Sequence, residues 1–316
     1  MLGIALEQHR LKGMKIICTT VVRAAKHGSN HGGLYVIDVE EESVIHYAPY
    51  DESFVNDNER GGERGLRGIC VLDDRIIVAS ATSLIELDKE TFEVVRKLED
   101  RETFRSIHEI CFFAGSIWVT STAIDCVVQV DLDFNIISVY QILGESQSDY
   151  KILTGKHLTD VSKVQENDNF HINSISSFSD RLVISGLITH LYDFDTMNVI
   201  ESMPIIQNAK SFQHNFYEYD DFSLINLTGW NKLGVVRNSI CKTVDVPRSK
   251  SVKYYADDIA ENNWNRGLAR LDNYIFLGSS PARVLMFDMK TKKFEKEISL
   301  EEDMRHCIHG LEILEP

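Results

Sequence analysis

A short phrase recurs along this chain: a polar head, a linker residue, then an apolar residue that opens an apolar run. It reads Arg67-Gly68-Ile69, His108-Glu109-Ile110, Asn173-Ser174-Ile175, His214-Asn215-Phe216, Arg266-Gly267-Leu268 and His309-Gly310-Leu311. Successive heads stand 41, 65, 41, 52 and 43 residues apart. Self-similarity at a period of about 40 to 50 residues means that each repeat is one supersecondary unit, stacked on its neighbours to bury its apolar faces. A chain so built folds as an array.

Each repeat has the same internal plan. After Arg67 an apolar run reaches Leu72, Asp73-Asp74 turns the chain, and Arg75 to Ala79 returns it. Thr82 to Leu87 and Phe92 to Leu98 follow, separated by Asp88-Lys89-Glu90. Apolar, β-branched runs of this length joined by short polar turns predict antiparallel meanders. Eight residues separate the head from the second strand in four repeats: Arg67 and Arg75, His108 and Ser116, Asn173 and Arg181, Arg266 and Tyr274. Asp88, Asp131, Asp195 and Asp288 each stand at the turn leaving a third strand, where Asp binds its own backbone. The N-terminal repeat has only three strands, and the run from His309 to Leu314 supplies a fourth. The expected fold is all-β: a six-bladed β-propeller of four-stranded antiparallel blades, closed by the C-terminal strand completing the N-terminal blade. Residues 1–13 read as an N-terminal extension, with Met14 as a natural start, and residues 14–316 as a single propeller domain. The long interval holds an insertion at about 141–170, polar and partly helical in composition, placed to overhang one face as a lid.

On this repeat plan the chain resembles the broad class of six-bladed propellers, which includes NHL-repeat, gluconolactonase-like and peptidylglycine amidating-lyase-type proteins. The resemblance covers nearly the whole chain at the level of repeat and strand-swapped closure. It implies lactonase, lyase or pure binding scaffold alike, so function must be argued from a site.

Composition narrows the partners. A net charge of −15 and no Lys/Arg cluster argue against nucleic acid. No apolar run approaches the roughly 18 residues of a membrane helix, so no membrane partner is expected. Neither a phosphate-binding Gly-rich loop nor a dinucleotide fingerprint is present, so no nucleotide cofactor is expected. The six cysteines are scattered without a C-x-x-C pair, and the start lacks the charged and apolar regions of a secretory leader. Reduced thiols and a cytoplasmic location are the expectation.

In a propeller the first strand of each blade lines the axis, which puts the six heads around one mouth. His108, His214 and His309 occupy every second position and would approach the axis from three evenly spaced directions. Three converging imidazoles with an open position suit a divalent metal (zinc, manganese or iron). The resemblance to amidating-lyase-type propellers, which hold zinc on axial histidines, implies the same. Arg67 and Arg266 alternate with the histidines and suit an anionic substrate through two-pronged hydrogen bonds. His171 shares the face of Asn173 one step further out; these two, with Arg67 and Arg266, are the expected catalytic groups. Loops on the same face carry His27, His31, Asp125, His190, Trp230 and Arg283, the expected substrate rim. The competing reading makes each histidine a backbone-bonded structural residue and pairs the arginines with Glu63, Glu109 or Glu261. The leading expectation is a metal-dependent lyase or hydrolase acting on a small anionic molecule or carbohydrate, such as a sugar acid. The alternative is a non-catalytic propeller scaffold that binds a protein or glycan on this face.

Overall fold

The structure is a computed structural model. It describes residues 11–26, 28–50, 65–143, 154–158, 164, 168–186, 190–194, 199–202, 213–219, 221–238, 240–250, 252–253 and 264–315. They form six antiparallel sheets. The N-terminal sheet runs β25 (His306–Glu315), β1 (Lys15–Val22), β2 (Gly33–Asp38), β3 (Ser43–Pro49). The next holds β4 (Ile69–Val71), β5 (Arg75–Ala79), β6 (Ser83–Asp88) and β7 (Val94–Glu99). The third holds β8 (Ile107–Phe113), β9 (Ser116–Ser121), β10 (Cys126–Asp131), β11 (Ile136–Leu143) and β12 (Thr154–Leu158). Then come β13 (Ser174–Phe178) to β16 (Val199–Ser202), β17 (His214–Glu218) to β20 (Ile240–Asp245), and β21 (Leu268–Leu271) to β24 (Lys293–Ser299).

Instead of six four-stranded blades there are five, and the sheet starting at β8 has five strands. The fifth, β12, comes from the expected insertion and pairs antiparallel with β11, Val139 opposite Leu158. The described part of that insertion is thus a strand, where composition had pointed to helix. Backbone groups of an outer strand are unpaired, and Thr154–Leu158 extends the ladder across them. At the chain's other end β25 pairs antiparallel with β1, Cys18 opposite Leu311.

Burial falls from the inner strands to the outer one. β2, β9, β22 (Tyr274–Ser279) and β23 (Arg283–Asp288) are buried almost throughout, whereas β7, β20 and β24 alternate with charged, exposed positions. Strands covered on both faces read as continuous apolar runs, and a half-solvated outer strand alternates. The tight turns use the expected aspartates: Asp88 Oδ1 accepts from the Glu90 and Thr91 N–H groups (3.0 and 2.8 Å), and Asp288 Oδ1 from Lys290 N–H (2.7 Å). Asp195 lies outside the described residues.

The chain divides into two compact units, Met1–Ile76 with Pro247–Pro316, and Ile77–Val246. In the first unit, β1, β2, β22 and β23 share one core that includes Ile16, Cys18, Ile37, Phe276, Val284 and Met286. Leu11, within the expected extension, packs partly against it. In the second, Trp118, Val127, Phe170, Ile175, Leu182 and Ile184 form a core joining β9, β10, β13 and β14 (Arg181–Ser185). All six cysteines are free thiols. Burial pushes the Cys126 thiol up to about 12, which makes it a packing group rather than a nucleophile.

The linker position of the repeated phrase is where neighbouring inner strands meet. A Cβ on Gly310 would lie 2.5 Å from the Arg67 carbonyl oxygen and 2.7 Å from Thr19 Oγ1. Thr19 stitches the same point: its hydroxyl accepts from Gly310 N–H (2.8 Å) and donates to the Arg67 carbonyl. Gly267, at φ +75°, has Leu311 Cβ 3.0 Å from where its own Cβ would be. Gly310→Ala should therefore destabilise the protein by about 1–3 kcal/mol, the usual cost of overpacking. The check is the urea midpoint, which should fall at constant slope; an unchanged midpoint would mean that β25 and β4 separate without cost.

Candidate functional site

In the second unit, polar side chains of the heads gather where β-bulges interrupt the inner strands. The β8–β9 register shifts between Ile107 and Ile110, so that His108 and Glu109 together face the single residue Thr120. The β17–β18 (Ser223–Leu227) register shifts between His214 and Phe216, with Asn215 at φ 48°. A bulge bends its strand and re-aims side chains, here bringing His108 against two other imidazoles. Its ring centroid is 6.1 Å from that of His214, nearly parallel at 24°, and 5.1 Å from that of His171, edge-on at 75°. His108 Nδ1 donates to the Ser106 carbonyl oxygen at 2.9 Å, since a carbonyl only accepts; Nε2 is then the acceptor in the neutral ring. His214 Nδ1 shares a hydrogen bond with Thr228 Oγ1 (3.1 Å).

The linker residues behind these rings form a buried polar chain. Asn226 Nδ2 donates to Asn215 Oδ1 (3.3 Å), and Asn215 Nδ2 donates to the Glu109 carboxylate. Ser174 Oγ accepts from Phe216 N–H at 3.0 Å. Asn173 is 1% exposed; its Nδ2 donates to the Gln213 carbonyl oxygen (3.0 Å), and its buried Oδ1 has no hydrogen bond among the described residues.

His108 and His214 are buried, whereas the His171 side chain is 28% exposed. Its Nδ1 lies 2.9 and 3.1 Å from the two Asp168 oxygens. The backbone at His171 is left-handed, φ 47°, an uncommon state for a non-glycine residue that its surroundings must impose. Asp125 imposes it. One carboxylate oxygen accepts from Asn169 and Phe170 N–H (2.7 and 2.9 Å), and the other from Ile172 N–H (3.3 Å). Thr122 adds a hydrogen bond to the Ile172 carbonyl (2.8 Å). Asp125, expected at the substrate rim, is wholly buried and holds His171 in place.

In the first unit Arg266, His309 and Arg67 head three neighbouring inner strands, as the close approaches at Gly267 and Gly310 establish. Trp264, just before Arg266, carries two guanidinium groups over its ring, with Cζ of Arg23 3.6 Å and Cζ of Arg266 5.4 Å from the centroid. Neither Arg23 nor Trp264 bears the repeat's signature, so neither was legible as a site residue. Asp168 was legible only as part of the insertion.

The remaining rim candidates are mostly engaged. His31 is buried, and its Nε2 donates to the Lys26 carbonyl oxygen (3.1 Å). Arg283 is fully buried and donates to Glu297 (2.7 Å) and to the Pro247 carbonyl. Trp230 ends a 3₁₀ turn, Thr228–Trp230, and packs partly against a cluster containing Val183 and Phe216. His27 lies outside the described residues, as does the side chain of His190, which opens β15 (His190–Asp193). Among the described residues no three or more His, Cys, Asp or Glu side chains are grouped as a metal ion requires. His108 meets both His171 and His214, and His309 belongs to the first unit with the two arginines. The expected His108, His214 and His309 ligand set spans the two units.

No protein-family model matches the sequence, and neither does any curated protein. Solved structures are similar in fold. One is a Bacteroides caccae protein of unknown function, 7% identical over 96% of this chain and 99% of that one, TM-score 0.59. Another is a chain of a nidogen/laminin complex, 7% identical over 95% and 98%, TM-score 0.55. A third is virginiamycin B lyase from Staphylococcus aureus, in a catalytically inactive histidine-to-alanine form with quinupristin, 10% identical over 90% and 85%, TM-score 0.53. The chain has the β-propeller fold.

The clamp on His171 can be tested through Asp125. Burial pushes its carboxyl up to about 6, against the lowering effect of the three N–H donors. The ordinary value is 3.8, so the folded protein takes up a proton near pH 4–6. The group's contribution to stability is full below pH 4 and is lost as pH rises through 6. Between pH 4 and pH 7 the stability difference should shift by up to ~3 kcal/mol in favour of Asp125→Asn over wild type. Urea unfolding at the two pH values checks this.

Proposed function

We propose that this protein is an acid–base enzyme of the lyase type, with His171 as the group that moves the proton and Asp168 as the residue that positions it. One observation carries the reading: the most exposed imidazole of the cluster is held through Nδ1 by a carboxylate and through its backbone by a buried clamp. A carboxylate at Nδ1 fixes the tautomer that leaves Nε2 unprotonated, which is the arrangement of a general base. His108, edge-on at 5.1 Å, is a second imidazole beside the first, suited to steer the ring or to return a proton.

Elimination asks little more of a site than this. Nε2 removes a proton from a carbon next to a carbonyl or carboxyl group, and the electron pair forms a carbon–carbon double bond. The group on the adjacent carbon then leaves, taking a proton from the imidazolium if it needs one. The staphylococcal lyase gives this reading a precedent in the same fold: replacement of one histidine by alanine yields its inactive form. The nidogen/laminin complex represents the rival, a similar chain seen bound to another protein.

The test is turnover of a panel of carboxylic acids and esters whose elimination products absorb in the ultraviolet. His171→Ala should lower kcat by about 10²–10⁴-fold, the range of general-base contributions. Asp168→Asn should lower kcat with little change in KM, because it misorients the base without touching substrate. Turnover that survives His171→Ala would sink the proposal, and a panel left untouched by wild type would favour the scaffold.

A further inference from the structure

We propose that the first unit binds a small primary ammonium compound in a cleft of about 300 Å³ between the loop after β1 and the turn into β25, with Glu301 and His306 as its two acceptors. The cleft shares no residue with the His171 site, and the proposal does not rest on that reading.

Val22, Ala24 and Ala25 give the cleft an apolar lining, and Glu301, Asp303 and His306 a polar one. Both linings are fixed by their own turns. Ser29 Oγ accepts from Lys26 N–H (3.0 Å) and donates to the Lys26 carbonyl oxygen (2.6 Å), while His306 N–H donates to the Asp303 carbonyl oxygen (2.9 Å). A site held this way needs little ordering when a ligand arrives. The His306 side chain is 3% exposed, with Nε2 2.8 Å from Thr20 Oγ1. That hydroxyl donates to the Gly33 carbonyl oxygen (3.3 Å) and accepts from Gly33 N–H (3.0 Å), so it takes the imidazole proton too, and Nδ1 is left an acceptor. Burial pushes the imidazolium down to about 4, which keeps the ring neutral at neutral pH. Nδ1 stands 4.0 Å from Glu301 Oε1, beyond a hydrogen bond. Tyr35 O–H donates to the same oxygen (3.3 Å), and a carboxylate has capacity for further donors. Two acceptors at this spacing both lie within reach of one nitrogen that carries several N–H groups. An ammonium supplies those donors together with charge, and its alkyl chain suits the apolar lining. Arg305 is bonded to Asp303 (2.7 Å) and Lys253 to Glu302 (2.8 Å), which leaves Glu301 without a cation of its own among the described residues; Lys26 is exposed at the rim. The net charge of −15 draws cations towards the protein.

Ligand-observed NMR on the full chain, at neutral pH and constant ionic strength, tests the cleft with three probes. They are butylammonium, butyltrimethylammonium (the same charge without N–H groups) and n-butanol (the same chain without the charge). Butylammonium should give a saturable signal that the other two do not. The Glu301 side chain is 40% exposed, so Glu301→Gln leaves the core undisturbed and carries the decisive variant. It should weaken binding by about tenfold or more, because a charge-assisted hydrogen bond is lost. His306→Phe, which fills the ring's space without a nitrogen, should weaken it by about fivefold. No binding of butylammonium, equal binding of butyltrimethylammonium, or wild-type affinity in Glu301→Gln or His306→Phe would overturn the site. Equal binding of n-butanol would overturn the assignment to ammonium compounds.

Discussion

The close approach of neighbouring inner strands is the constraint on which the rest of the fold depends. It acts at one position of each repeat, the residue after the head. In the first unit that position is glycine, because the Arg67 carbonyl occupies the place where a Gly310 side chain would begin. In the second unit it is Glu109, Ser174 and Asn215, and the strands are joined by side-chain hydrogen bonds instead. These are two solutions to one problem: backbones this near must either lose a side chain or turn it into a bridge. The choice has a consequence for chemistry. Buried bridges demand that every polar atom be matched, and they set a polar environment directly behind the second unit's imidazoles.

The same constraint explains why the head residues can be presented at all. A regular strand would aim successive side chains to opposite faces, and a head would simply alternate into a sheet core. The bulges at His108 and Asn215 break that alternation locally, at the cost of unpaired backbone groups that Thr120 and its equivalents take up. Thr120 Oγ1 accepts from Glu109 N–H at 2.9 Å and donates to the Glu109 carbonyl oxygen at 3.2 Å. Thr19 does the same work in the first unit. Irregular backbone at the end of a regular sheet is thus a repeated device in this chain, and the candidate site uses it. The loop bearing His171 follows another route. It is tied down by a carboxylate that burial alone would make costly, and the three N–H donors offset part of that cost.

The alternation of heads along the chain, Arg, His, Asn, His, Arg, His, resolves into two groups. Arg266, His309 and Arg67 belong to the first unit, and His108, Asn173 and His214 to the second. One group holds two arginines and a histidine, and the other two histidines and an asparagine.

Much of the architecture was legible in the sequence by itself. The period of the opening phrase, the β-branched runs and the aspartates at the third turn are local properties, and local periodicity and turn chemistry suffice to specify antiparallel meanders and the β-propeller fold. The fifth strand at Thr154–Leu158 was not legible, because a short polar strand on an outer edge has no apolar face to reveal it. The site was half legible. The heads were visible as heads, but which of them meet was decided by bulges and by inter-strand bridges and the Asp125 clamp, the last two of which join residues about 45 to 291 apart in sequence. Asp168 holds His171 beside His108, and Arg23 reaches Trp264 across 241 positions. Periodicity encodes what each repeat does alone. Contacts between repeats depend on side-chain direction, and only the tertiary structure sets that.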